Sequence, residues 1–349
     1  MAEFLTGVID PPHLLGYVRA NMILQPPTLE SILPTIDVPD IAYALDQFNQ
    51  ALVELATYRA WDTVPRLGRR PGYGQIKGEL APLGLRYRLN ETEVKRLNRL
   101  RQGNTGVNVS ISPESQTAID RIYNDALNAG NGVLAREEAA RADLLVDGIV
   151  TVVENGVNAT VNFGVPGTNI VTAAVAWTDR VNAVPLTDLY AWQEVYRVAN
   201  GGRLPDAWLI SRTRAADFEL NAQVRNALAY AGTVPAFVSI DEINRVLSSR
   251  GIAPIVVFNG YLPDAAGAAV LTLPANKVIG VRQGMGNTLR TTTAAADLMV
   301  TRGLIVPSVA PGLITYVQEE ISPVSITTTA EAVSLPVLRD PAALFVATV

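Results

Sequence analysis

Three features of the 349-residue sequence predict an α+β fold. They are a long helical pattern over 112–150, an alternating hairpin directly after it, and helices alternating with strands between Pro185 and Val306 before a β-rich tail. In chain order this gives an arm, a protruding loop, a long helix with its hairpin, an α/β insertion, and closing strands.

The arm is residues 1–50, where Pro11, Pro12, Pro26, Pro27, Pro34 and Pro39 favour extended chain with short turns over a self-burying period. The loop runs from Leu55–Arg59 out to the turn residues Pro71-Gly72-Tyr73-Gly74 and back along Leu83–Arg88. A helix opens at Asn90, with Glu93 three residues on as the reciprocal cap.

The long helix opens with Ser112 as N-cap, Pro113 at the first helical position and Glu114 in the first turn. Ile119, Ile122, Ala126, Leu127, Val133, Leu134, Leu144, Leu145 and Ile149 mark its apolar positions. Gly130 and Gly132 predict a bend or break, because each costs about 1 kcal/mol against alanine inside a helix.

Val150–Val153 and Val157–Phe163 flank Glu154-Asn155-Gly156, and the Asn-Gly pair suits a tight primed hairpin turn. Thr187 is the expected cap of a helix carrying Leu189, Trp192, Val195 and Ala199, closed by Asn200-Gly201. A strand over Ala207–Ser211, a helix from Arg214 to Tyr230, and a Ser239/Glu242 capping box opening another helix follow. Strands are expected at Ile255–Phe258 and Lys277–Val281, then at Leu313–Val317, Ser325–Thr329, Val333–Leu338 and Leu344–Val349.

Composition narrows the chemistry. With 48% hydrophobic and 17% charged residues and a net charge of -5, the chain reads as globular and long enough to bury its core without staples. The absence of cysteine removes disulfides, zinc fingers, iron–sulfur ligation and thiol catalysis, and a lone His13 beside Pro11 and Pro12 removes His-pair metal motifs. No metal or cofactor is expected. Glu3 and Asp10 stand where a signal peptide needs a basic, then apolar, run, so the chain is expected to be non-secreted. The apolar stretch 303–317 is interrupted by Pro307 and Pro311 and is too short to span a bilayer, so no membrane partner is expected.

Catalytic motifs are missing too. There is no GxxxxGK[ST] loop or GxSxG elbow, and Gly284-Met285-Gly286-Asn287 reads as a turn rather than a dinucleotide site. Glu137-Glu138 with Asp143, and Glu319-Glu320, read as exposed charge, since adjacent residues do not share a face as a catalytic pair requires. The acidic chain has one basic island. From Arg59 to Arg88 seven basic residues face two acids, a net of +5, which leaves the remainder at -10.

Several strings, in order along nearly the whole chain, carry a resemblance. They are Ala139-Ala140-Arg141-Ala142-Asp143-Leu144-Leu145-Val146-Asp147-Gly148 leading into Thr151–Asn155; Trp177 with Pro185-Leu186-Thr187-Asp188; Leu273–Val278; and Leu335-Pro336-Val337-Leu338-Arg339-Asp340-Pro341. The chain resembles the major capsid proteins of tailed bacteriophages, specifically the phage lambda head-protein (capsid E) family, whose fold is the Hong Kong 97 type.

The resemblance implies an N-terminal arm over 1–50, an extended loop over 51–90, a peripheral domain over 91–180 and 311–349 with the long helix as its spine, and an axial domain over 181–310. It also implies pentamers and hexamers closing as an icosahedral shell around double-stranded DNA, assembled in the host cytoplasm and residing in the virion. DNA would be held non-specifically, and scaffold, portal and decoration proteins are conceivable partners. A nanocompartment shell of the same fold, holding enzyme cargo in the manner of encapsulins, is the alternative. Either way the role is structural and non-enzymatic, since closed symmetric assembly needs self-complementary surfaces rather than catalytic groups.

Charge then suggests where copies meet. Residues 114–147 hold seven acids and three arginines, a net of -4. The expected inter-subunit contact sets Arg66, Arg69, Arg70, Lys77 and Arg86 of the loop against Glu114, Asp120, Glu137 and Glu138 of a neighbour's spine helix.

Overall fold

A computed structural model of the chain describes residues 3–4, 10–22, 28–47, 74–95, 113–154, 157–229, 233–263, 268–321 and 323–349. The predicted strand over Leu55–Arg59, the tip at 71–73 and the Ser112 cap lie outside the described residues.

The arm departs from expectation. After β1 (Glu3–Phe4) comes a helix, α1 (Pro11–Asn21), with the two prolines in its first turn, where a missing N–H costs nothing. Leu14, Leu15 and Val18 of α1 are fully buried in the chain's own core. A single 3-10 turn (Leu29–Ser31) and β2 (Thr35–Asp37) follow. Proline spacing signalled extension, but a proline pair is equally compatible with a helix start, and apolar side chains three and four apart then found a surface to bury against.

Beside the loop residues that lie outside the described ones, β3 (Ala42–Gln47) pairs antiparallel with β4 (Gly74–Glu79). Leu83–Arg88 belongs instead to β5 (Ala81–Leu89), a strand of the main sheet. At the end of β5, Asn90 and Glu93 exchange the two hydrogen bonds of the predicted capping box (3.0 and 3.1 Å) over a helical turn at 91–95.

The spine helix, α2 (Pro113–Asp147), is one unbroken rod of 35 residues, about 52 Å long at 1.5 Å per residue. Gly130 and Gly132 do not break it. A Cβ on Gly130 would come within 2.9 Å of Val18 of α1, and one on Gly132 within 2.6 Å of Leu85 of β5. These glycines let neighbouring elements approach the rod closely, which offsets their poor propensity.

The hairpin β6 (Ile149–Glu154) and β7 (Val157–Asn162) has the predicted register, with Glu154 opposite Val157. After β8 (Ile170–Thr172), helix α3 (Pro185–Ala199) begins two residues before Thr187. Its free amide at Leu186 donates to Gln223 Oε1 at 2.9 Å, so a distant side chain does the capping. β9 (Ala207–Ser211) matches its prediction. The helix expected over 214–230 is two, α4 (Arg212–Leu220) and α5 (Ala222–Ala227), because Asn221 adopts extended backbone and caps the second. The Ser239/Glu242 capping box opens α6 (Ile240–Ser249) as read.

β10 (Ile255–Phe258), the hairpin β11 (Tyr261–Pro263) and β12 (Ala269–Leu271), and β13 (Lys277–Val281) precede β14 (Gly286–Thr291) and α7 (Ala294–Thr301). β15 (Ile314–Ile321) leads to β16 (Val324–Leu338), where two predicted strands fuse into one of 15 residues, and β17 (Phe345–Thr348) ends the chain.

Two larger sheets organise these parts. In the first, β16 is the central strand: β5 runs along one side, while β15 and β14 lie end to end along the other, with β1 outside β15 and β2 outside β14. The second has the order β10-β9-β13-β17-β8. Its strand residues alternate between two cores as the pleat demands. Trp208, Ile210, Val278, Phe345 and Ala347 face α3–α6, while Leu209, Ile279 and Val346 face Leu144 and Leu145 of the spine.

The domain limits at 180 and 310 cut across these pairings. β8 and the C-terminal β17 belong to the second sheet, and β14 belongs to the first. After β13 the chain crosses between the two sheets twice more, at 282–285 and 339–344. Both crossings are tied together: Met285 O accepts from the amides of Arg339 and Asp340, and Arg282 is paired with the buried Asp340 and donates to Asn200 Oδ1.

Candidate assembly surfaces

The acidic residues of the spine divide into two groups. Ala126, Ala129, Val133, Glu137, Arg141 and Leu144 recur three or four residues apart, so Glu137 and Arg141 fall on the helix's buried stripe. Glu137 receives both Nε and an Nη of Arg290 at 3.1 and 2.5 Å, a bidentate fork from β14. Glu138 accepts the amide of Leu29 at 2.5 Å and pairs with Arg141 at 3.0 Å. Arg141 also reaches Thr288 Oγ1 and Thr35 Oγ1, both at 2.9 Å. Burial pushes the Glu138 carboxyl above its ordinary range, opposed by the Leu29 amide and by Arg141.

Glu137 and Glu138 are therefore not surface charge and cannot receive a neighbour's loop. Their side chains fasten residues 29–37 and β14 onto the spine within one chain. The sequence signal was present in the helical phase, which outweighs the tendency of charged residues to lie outside. Arg141 and Arg290 are the charged partners that make this burial possible, a pairing the sequence reading did not assign.

Of the other expected contact residues, Arg66, Arg69 and Arg70 lie outside the described residues, and Glu114 falls in the first turn of α2. Asp120 is exposed on the same helix. Lys77 is exposed on β4 opposite Ala44, and Arg86 is exposed on β5 opposite Thr329.

Among the described residues no group converges on a reaction centre. His13 Nδ1 lies 3.2 Å from Tyr123 Oη at the surface. Glu319 and Glu320 are consecutive on β15 and so point to opposite faces of the strand. Gly284 sits in a turn at φ +75° ahead of β14. Among the described residues no three His, Cys, Asp or Glu side chains gather as a metal site, and no helix is long and apolar enough to cross a membrane.

What the surface does offer is apolar area. Helix α3 buries Leu189, Trp192 and Tyr196 and turns Val184, Val195 and Val198 outward at helical spacing, with Val198 71% exposed. Tyr190, Phe237 and Tyr261 are further exposed rings. A 300 Å³ cleft opens between β5, α2 and β6, with the Arg136–Glu154 ion pair (3.0 Å) among its lining residues.

Exposed apolar side chains gathered on one helix face, as on α3, make a surface suited to being covered by another chain. The family model for phage major capsid protein E matches residues 44–349. The chain belongs to that family: it is a shell-forming major capsid protein of a tailed phage, not an enzyme.

Solved structures agree on the fold, which is the Hong Kong 97 type. A candidate prophage capsid protein of Escherichia coli CFT073 superposes with a TM-score of 0.64 at 12% identity, covering 100% of this chain and 99% of that one. A phage-related protein of Bordetella bronchiseptica RB50 superposes with a TM-score of 0.55 at 12% identity, covering 97% of each. No curated protein sequence matches the chain. The family match decides between the two shells considered above in favour of the phage capsid.

Proposed function

We propose that copies of this chain form pentamers and hexamers that close into an icosahedral shell around double-stranded DNA, assembling in the host cytoplasm and remaining in the virion. The observation that carries this reading is the family match over 44–349. The acidic net charge of -5 supports an inner surface that tolerates DNA without gripping it, since tight phosphate binding needs many basic contacts. Scaffold, portal and decoration proteins are further partners in this reading.

The basic loop supplies part of the contact between copies. With Glu137 and Glu138 committed inside the chain, the acceptors are Glu114 and Asp120 in the N-terminal part of the neighbour's spine, facing Arg66, Arg69, Arg70, Lys77 and Arg86. Exposed pairs contribute about 0–1 kcal/mol each, so the effect lies in assembly rate and salt dependence.

Negative-stain microscopy of purified protein tests the whole reading: closed particles are expected, and a protein that stays dispersed under all assembly conditions contradicts it. Reversing Arg66, Arg69 and Arg70 to glutamate is expected to block particle formation while circular dichroism of the subunit stays unchanged. Normal assembly of that variant at low salt would remove the loop from the contact.

A further inference from the structure

We propose that the outer edge of β5 takes up an extended segment of a second copy, so that the first sheet continues from one subunit into the next. This rests on the shell reading and names a surface for it. β5 is nine residues long, and among the described residues its only strand partner is β16. Among the described residues nothing pairs with the alternate N–H and C=O groups of its outer side, which makes that side a template for another strand.

The chain treats its other sheet edges differently. At the edge of the second sheet, the Asn244 carboxamide donates to Ile255 O at 2.9 Å and accepts from Ile255 N–H at 2.8 Å. That side chain occupies the place of a neighbouring strand on β10 and closes it to addition. On the far side of the first sheet, β1 and β2 are only two and three residues long. Among the described residues of the two larger sheets, β5 is the longest edge strand without such a block.

It also has room for side chains. The 300 Å³ cleft runs along residues 81–85 of β5, and its other walls include Gly132, Val133, Ala140 and Val152. A strand laid against the edge would place alternate side chains into this mostly apolar space while its backbone completes the sheet, the two components of recognition by strand addition.

Charge selects the occupant. Arg86 and Arg88 are exposed on β5, within the segment of net +5, while the rest of the chain sums to -10. A second copy of the chain brings the complementary acidic surface, and a closed shell presents that copy in the same register at every interface. The two arginines and Pro82 discourage indiscriminate edge pairing, which leaves the edge open to a partner that carries acid.

The test is hydrogen exchange at single-residue resolution on dispersed subunits and on particles assembled from purified protein without nucleic acid. In dispersed subunits alternate amides of 81–89 are expected to exchange fast and the others, bonded to β16, slowly. In particles the fast set is expected to slow on the order of 100-fold.

Filling the cleft with Ala140→Trp is expected to cut particle yield on the order of tenfold while subunit melting stays unchanged. Equal exchange in the two forms overturns the proposal, as does slow exchange at every amide of the strand in dispersed subunits, which would mean that the chain covers the edge itself. Wild-type yield from Ala140→Trp removes the cleft from the interface and overturns it as stated. If wild-type protein forms no particles, the shell reading fails and this inference with it, a result distinct from particles whose β5 amides remain fast.

Discussion

Replacing Arg141 with alanine is expected to lower subunit stability by about 3–5 kcal/mol, read from the urea midpoint, because it strands a buried charge. Glu138 and Arg141 have side chains only 3% and 2% exposed. Removing the guanidinium leaves the Glu138 carboxylate with the Leu29 amide as its remaining bonded partner and takes the donors from Thr35 and Thr288. The loss should localise: amides over 29–37 are expected to exchange faster than those of β9 or β13, because the network is what holds that segment to the spine. Adding Glu138→Gln to the alanine variant is expected to recover part of the stability, since a neutral carboxamide keeps an acceptor for Leu29 without an uncompensated charge. A loss below about 1 kcal/mol for Arg141→Ala would mean that water reaches the pair.

Trp192→Ala is expected to cost a similar amount, about 3–5 kcal/mol, by a different mechanism, the loss of buried ring surface and the cavity left behind. The Trp192 ring stacks on Trp177 with centroids 5.7 Å apart and planes 14° apart, and it touches Trp208 and Phe345 at 6.4 and 6.3 Å. These rings join α3 to the face of the second sheet, and Phe345 brings the C-terminal strand into the same cluster. Near-ultraviolet circular dichroism should weaken together with the fall in urea midpoint. An unchanged midpoint would show that α3 is held chiefly by its caps. Helix α3 also carries the outward valines, so its loosening should reduce particle yield wherever that face is covered by another copy.

The two variants act on opposite kinds of contact, and the sequence revealed them unequally. The buried face of α3 was legible in part: Leu189 and Trp192 recur at helical spacing and are buried, but Val195, read on the same face, turns outward and Tyr196 is buried in its place. The pairing of Glu138 with Arg141 had the same helical signature, but its meaning depended on Leu29, Thr35 and Thr288, which are remote in sequence. Glu137 is separated from Arg290 by 153 residues. An unpaired glutamate belongs in water, and only a partner of opposite charge at the right place reverses that preference.

By itself the sequence determined what a few consecutive residues can settle. The Asn90/Glu93 and Ser239/Glu242 boxes close their own hydrogen bonds, β6 and β7 pair as the antiparallel hairpin expected there, and the run Ile255–Phe258 forms its strand as read. The order of such elements, with short strings along the chain, was enough to indicate the capsid family. Tertiary structure decided everything that turns on which surfaces meet. It made Pro11–Asn21 a helix with one buried face, let the spine run unbroken past Gly130 and Gly132 with Val18 and Leu85 set against them, drew Glu137 and Glu138 inside, and sent β17 to the second sheet. Turn and cap energies are fixed within about four residues of chain, whereas burial is fixed by neighbours in space, which in this fold lie from tens of residues away, as Leu85 from Gly132, to the 153 between Glu137 and Arg290.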